Sequence, residues 1–221
     1  MNSVPLNTVS TVDAICSALE HDIFHLHYAP GEKITEQELA TRYHVSRNTL
    51  REAVAHLIAQ GLLTKTANKG VSVKKLTVED VKEIFHLRTL LEQEAVRRFR
   101  ANDTVVKQLQ ACVEQMEGAG APVSHEAYGH ADFLFHSTLV AASSSARLQK
   151  LYETIVTEGK LCIYQTQRYV PFPSNNPVTH RIILQSLQKG DLDATQKLIE
   201  QHIFYVIEPY SMGVAAMAQS G

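Results

Sequence analysis

The chain has 221 residues, with 21 Lys/Arg against 23 Asp/Glu and a net charge of −2. This balance excludes a blanket polyanion-binding coat, and the length leaves room for two modest domains with separate cores. Three scattered cysteines, Cys16, Cys112 and Cys162, offer neither a disulfide framework nor zinc-finger spacing. With no signal peptide and no apolar run long enough to span a bilayer, a cytoplasmic protein without a membrane partner is expected. The charge is unevenly spread: residues 30–75 carry eight Lys/Arg against four Asp/Glu, the remainder thirteen against nineteen. A basic stretch in an acidic chain points to a local nucleic-acid reader.

In chain order, Val12, Ile15, Leu19, Ile23 and Leu26 recur at helical spacing and predict a first helix over 10–27. His21 and His25 share a face of it. No acidic or third imidazole partner is evident nearby, so they are read as solvated. Thr35, Glu36, Gln37 and Glu38 have the form of a capping box that opens a short helix with Leu39, Ala40 and Tyr43 inward.

After a tight turn, Ser46 caps another helix, whose Leu50, Ala53, Val54 and Leu57 make one apolar face while Arg47 and Arg51 stand one turn apart on another. Two helices so joined form a helix-turn-helix. An exposed arginine pair near the start of the second suits guanine edges or phosphates in the major groove. Taken alone, that helix reads equally as an ordinary solvated face. Residues 62–66, a turn over 67–70 and the alternating Val71, Ser72 and Val73 predict a β-hairpin. This is a wing, whose tip residues Lys69 and Gly70 can approach phosphate or the minor groove.

The run Pro30-Gly31-Glu32-Lys33-Ile34, Glu38-Leu39-Ala40, Val45-Ser46-Arg47, Leu50-Arg51-Glu52-Ala53-Val54, Gly61-Leu62-Leu63 and Asn68-Lys69-Gly70 resembles the winged helix-turn-helix of GntR-superfamily transcription regulators. The resemblance implies operator contact from Arg47, Thr49 and Arg51, flanked by Ser46 and Asn48, with wing contact from Lys69 and Gly70. It also implies a homodimer on a short inverted repeat of double-stranded DNA. His44 stands where the family usually has Gly, and His tolerates left-handed backbone better than most residues. Gln37 stands where some members carry a DNA-contacting Arg.

Beyond Leu76, helical periodicity recurs at 78–100, 104–116, 126–142, 147–166, 178–189 and 192–217, separated by Gly- and Pro-rich breaks. The expected fold class is mainly α: a winged helix-turn-helix over 1–75, then an all-α bundle of six to seven helices over 76–221.

Polar residues recur on the inward stripes of that bundle. Asp132 and His136 lie one turn apart among Tyr128, Ala131, Phe135 and Leu139. His180 shares a face with Ile183, Leu184 and Leu187, and His202 one with Leu198, Ile199, Tyr205 and Val206. Arg88 falls among Val81, Ile84, Leu91 and Ala95. Buried charges are costly unless paired, so several on one core suggest a site. Three imidazoles and one carboxylate suit zinc, nickel, manganese or iron. Each histidine taken singly reads first as a hydrogen-bonded core residue, and periodicity does not show that the three helices meet.

This half resembles the FCD ligand-sensing domain of the FadR subfamily through Glu79-Asp80-Val81, Arg88, Leu91-Glu92, Ala95, Asp132-Phe133-Leu134-Phe135-His136, His180-Arg181-Ile182-Ile183, Gly190-Asp191 and His202. The resemblance implies a divalent ion, zinc foremost, on Asp132, His136, His180 and His202, with Arg88 close to the effector. Thr179 replaces a Glu common before the third ligand, and Ser145 an Asn common after the second. An ion and Arg88 in an apolar pocket favour a small carboxylate metabolite, whose binding would control operator affinity. The alternative is a metal-dependent enzyme using the same three-His, one-Asp set. No general base stands at a recognisable offset from it, and an enzyme leaves the basic module without a role, so a non-enzyme is expected.

Overall fold

A computed structural model describes residues 10–67, 70–118, 123–170, 176 and 178–219. Two compact units divide between Lys75 and Leu76.

In the first unit, α1 (Thr11–Phe24) starts at Ser10, whose hydroxyl accepts from the Asp13 N–H, and it buries Ile15, Leu19 and Ile23. Thr35 and Ser46 cap α2 (Glu36–Tyr43) and α3 (Arg47–Ala59) in the same way, accepting from the N–H groups of Glu38 and Thr49. His44 closes the turn between them at φ 53, the left-handed conformation anticipated for this position. The N–H groups of His44 and Val45 donate back to Thr41 and Ala40, which satisfies carbonyls at the end of α2. Leu50, Ala53, Val54 and Leu57 of α3 are buried, and both α1 and α2 pack on that helix.

The wing contains β2 (Leu63–Thr66) and β3 (Gly70–Val73), paired antiparallel with Leu63 opposite Val73. The expected hairpin is incomplete, because β1 (Lys33–Ile34) pairs with the other edge of β3 and makes the order β1-β3-β2. A two-residue strand has too little alternation to register in a sequence pattern. Gly70 enters β3 at φ +86, a conformation natural only to glycine. Lys69 lies outside the described residues.

The regular elements among the described residues of the second unit are all helices: α4 (Val78–Arg97), α5 (Asp103–Glu117), α6 (His125–Ala141), α7 (Ala146–Thr166), α8 (His180–Gln188) and α9 (Leu192–Gln219). A full capping box between Thr77 and Asp80 opens α4. That helix lies against α6, α7 and α9, while α5 packs on α6 and α8. Thr179 and Ser145, which depart from the family pattern, are the N-caps of α8 and α7, accepting from Ile182 and Leu148. Thr179 therefore stands outside α8, which begins two residues later than its periodicity suggested. No helix among the described residues is long and apolar enough to cross a membrane.

Two face assignments change. Leu91 is only partly buried and Glu92 takes its place on the inward stripe of α4, fully removed from solvent. On α9, Tyr205 turns outward and Ile203 is buried beside His202 instead.

Candidate metal and ligand site, and a DNA-reading face

Three helices of the second unit bring Asp132 and His136 (α6), His180 (α8) and His202 (α9) together, one ligand atom from each lying within 4.8 Å of the others. Nε2 of His180 is 3.0 Å from Oδ1 of Asp132 and 3.1 Å from Nε2 of His136, and Asp132 Oδ1 is 3.9 Å from that same His136 nitrogen. Ligands at the usual 2.0–2.2 Å around a zinc-like ion stand about 3–4 Å from one another, so donors and spacing both fit a divalent metal.

Hydrogen bonds behind the cluster aim its lone pairs. Nδ1 of His136 lies 2.6 Å from Glu92 Oε2. Burial alone would push the Glu92 carboxyl up, but the charges of His136 and Arg88 and the bonds they donate hold it at about 2. Glu92 is therefore ionised and accepts from Nδ1 of His136, which leaves Nε2 as the nitrogen that faces the cluster. His202 Nδ1 donates to the Val178 carbonyl at 2.7 Å, which turns its Nε2 lone pair inward by the same logic. Such outer partners set imidazole tautomer and basicity in metal sites. Burial, then the neighbouring His180 and His136, pushes His202 down to about 3. Asp132 is held well below the carboxylate range: burial opposes this, but the bond from His180 and the nearby positive charges prevail.

Arg88 and Glu92 form a fully buried pair, Nε to Oε1 at 2.7 Å, and Tyr152 donates to the same oxygen at 2.8 Å. Among the described residues the far end of the guanidinium, Nη2, is buried without a hydrogen-bond partner, and Asp132 Oδ2 lies 4.0 Å from it. Arg88 lines a cavity of about 40 Å³ together with Tyr128, Asp132, Asn176, His202 and Tyr210. That is room for about three water-sized groups, the scale of a carboxylate on a short carbon chain. Asn176 braces the rim, its Nδ2 donating to the His202 carbonyl at 3.0 Å. Glu92, Tyr152 and Asn176 were not among the sequence candidates. For Glu92 a signal existed, one turn after Arg88 on the same face.

In the first unit, Ser46, Arg47, Asn48 and Arg51 are exposed at the start of α3, and Thr49 is half-buried. Arg51 has a neighbour that its own helix does not disclose: Nε donates to Glu36 Oε2 of α2 at 2.8 Å. Gln37 is exposed on α2.

Residues 11–73 match the profile described as bacterial regulatory proteins, gntR family, and residues 83–204 match the FCD domain. The second match alone takes in more than half of the 221 residues. The chain belongs to the GntR family and carries an FCD domain. Members of this family are DNA-binding transcriptional regulators, and the curated relatives agree. The Nta operon transcriptional regulator of Aminobacter aminovorans is 37% identical over 131 residues, an overlap of 58% of this chain and 62% of that relative, somewhat under two thirds of its length. The HTH-type transcriptional repressor RspR of Escherichia coli K12 is 28% identical over 86% of this chain and 84% of its own. Among solved structures, a GntR-type protein from Rhodococcus sp. RHA1 superposes with a TM-score of 0.76 at 23% identity, covering 96% of this chain and 100% of that one. Escherichia coli McbR/YncC gives 0.70 at 18% identity, covering 96% and 99%. At such identities these two likenesses speak for the fold alone.

Proposed function

We propose that this GntR-family chain is a ligand-responsive regulator: the winged unit binds an operator and the helical unit senses a small carboxylate at a divalent ion. The observation that carries the sensing half is the buried Nη2 of Arg88, without a hydrogen-bond partner among the described residues, in a residue that lines a cavity shared by Asp132 and His202 of the four-residue cluster. A buried guanidinium nitrogen without an acceptor is costly, and an anion in the cavity would remove that cost. Asp132, His136, His180 and His202 would hold the ion, zinc by its preference for nitrogen and carboxylate donors, and the bound ion would supply a Lewis-acidic anchor for a carboxylate. Arg88 offers the second anchor, and Tyr128 and Tyr210 bound the apolar remainder.

For the winged unit, exposure of Arg47 and Arg51 at a capped helix start supports major-groove reading, with Ser46, Asn48 and Thr49 as neighbouring contacts and Gly70 and Lys69 at the wing. Glu36 on the Arg51 guanidinium would restrain it until DNA competes for the same donor. A homodimer on an inverted repeat belongs to this reading. Exposed Leu87 and Leu90 on α4 and Leu151 on α7 line an apolar face, and contiguous exposed leucines favour burial against a second copy. The effector regulates only insofar as it distinguishes two arrangements of the dimer.

The test is operator binding by fluorescence anisotropy, using fragments upstream of the protein's own gene, with a panel of short organic acids and with or without metal depletion. An acid that changes affinity only in the metal-loaded protein supports the reading. Binding to DNA that no acid changes would remove the sensing half, and binding to no fragment would remove the reader.

A further inference from the structure

The carboxyl-terminal end of α1 carries an imidazole cluster that the sensing site does not use. His21 and His25 were expected to be merely solvated for want of partners, and the structure overturns that premise. Asp22 Oδ1 is 3.0 Å from Nδ1 of His27 and 3.8 Å from Nδ1 of His21. His21, Asp22 and His27 each present a ligand atom within 4.8 Å of the other two. His25 stacks on His21 with ring centres 3.9 Å apart, and the His27 ring centre is 6.2 Å from each of them.

The backbone builds this cluster at a cost. Leu26 adopts φ 56, its N–H donates to Ile23, and the His27 N–H donates to the Asp22 carbonyl. This is the helix-ending arrangement that normally takes glycine. A leucine there is strained, and the turn it makes folds His27 back over Asp22. The position is also the negative end of the α1 dipole, which favours a cation.

We infer that His21, Asp22 and His27 form a second, solvent-open site for a borderline-soft divalent cation of the zinc class, with His25 positioned to shield or join it. Two imidazoles and a carboxylate make a three-ligand set with water completing the coordination. Asp22 divides its two oxygens: Oδ1 faces the histidines, while Oδ2 receives Arg42 Nη2 at 2.8 Å. Arg42 belongs to α2 and also donates to the Tyr28 hydroxyl. An ion on Oδ1 therefore leaves the Arg42 pair in place and ties the end of α1 to the first helix of the helix-turn-helix.

The experiment compares untagged full-length protein with the His21→Gln/His27→Gln variant, each dialysed against micromolar free zinc, with zinc per chain measured by elemental analysis. These side chains are exposed, so the variant should melt as the parent does; if its cooperative melt is lost, His27→Gln alone is compared instead. The expected result is about one zinc per chain fewer in the variant. Equal zinc in parent and variant overturns the inference. Because the comparison is a difference between two proteins sharing the same helical unit, its outcome does not depend on whether that unit also holds an ion.

Discussion

Nδ1 of His136 and Oε2 of Glu92 lie 2.6 Å apart with both side chains fully removed from solvent. The carboxylate also accepts from Arg88 and Tyr152, so one residue of α4 sets the imidazole tautomer on α6 and neutralises the guanidinium above the cavity. We expect Glu92→Gln to weaken zinc binding about 10–100-fold while leaving all four proposed ligands in place. It should also lower the melting temperature, because Arg88 loses its buried counter-charge. Chelator competition measures the first effect and circular dichroism the second. Unchanged zinc affinity would show that Glu92 is structural only.

Truncating a ligand should act differently. His180→Ala or His202→Ala is expected to empty the site and abolish the response to any active acid while operator affinity without effector changes little. Full zinc occupancy in either variant would strike that histidine from the ligand set.

The reading helix makes its own prediction. Arg47 and Arg51 are exposed, and the Arg51–Glu36 pair is a surface ion pair that adds little to stability. Replacing either by Ala should cost on the order of 1–3 kcal/mol of operator affinity with an unchanged melting temperature. If anisotropy titrations show parent-like affinity for both variants, α3 is not the reader.

Acid should weaken the metal-free protein. Burial, then His180 and His136, lowers His202 to about 3, and burial lowers His136 despite Glu92. In the unfolded chain these imidazoles protonate near 6.5. Between those values the unfolded state binds more protons than the folded one, so stability is fully present above about pH 6.5 and declines as pH falls toward 3. For His202 the slope approaches about 1.4 kcal/mol per pH unit. Urea midpoints at pH 7 and pH 5 test this, and equal midpoints would mean that both imidazoles are already charged in the fold.

The leucine face is tested by assembly. Leu151→Asp, at a site 62% exposed, should leave the protomer folded while shifting sedimentation from dimer to monomer and weakening binding to a two-half-site operator. A parent-like sedimentation profile would place the dimer contact elsewhere.

Local patterns determined a good deal. Capping residues such as Ser46 and Thr35 and the apolar spacing of each helix are short-range physics, legible wherever hydrogen bonds and periodicity lie within a few residues. Hence the mainly α fold, the capped arginine helix and the inward faces bearing Asp132, His136, His180 and His202 follow from residue order. Juxtaposition does not. Only the packing of α6, α8 and α9 gathers those four side chains, and only tertiary contact makes Glu92 the partner of His136 across 44 positions, pairs Arg51 with Glu36, and adds β1 to the wing. At the end of α1, one left-handed leucine turns scattered histidines into a cluster. In each case the deciding interaction joins residues whose relative positions depend on a turn or a packing surface, which helical or strand periodicity does not encode.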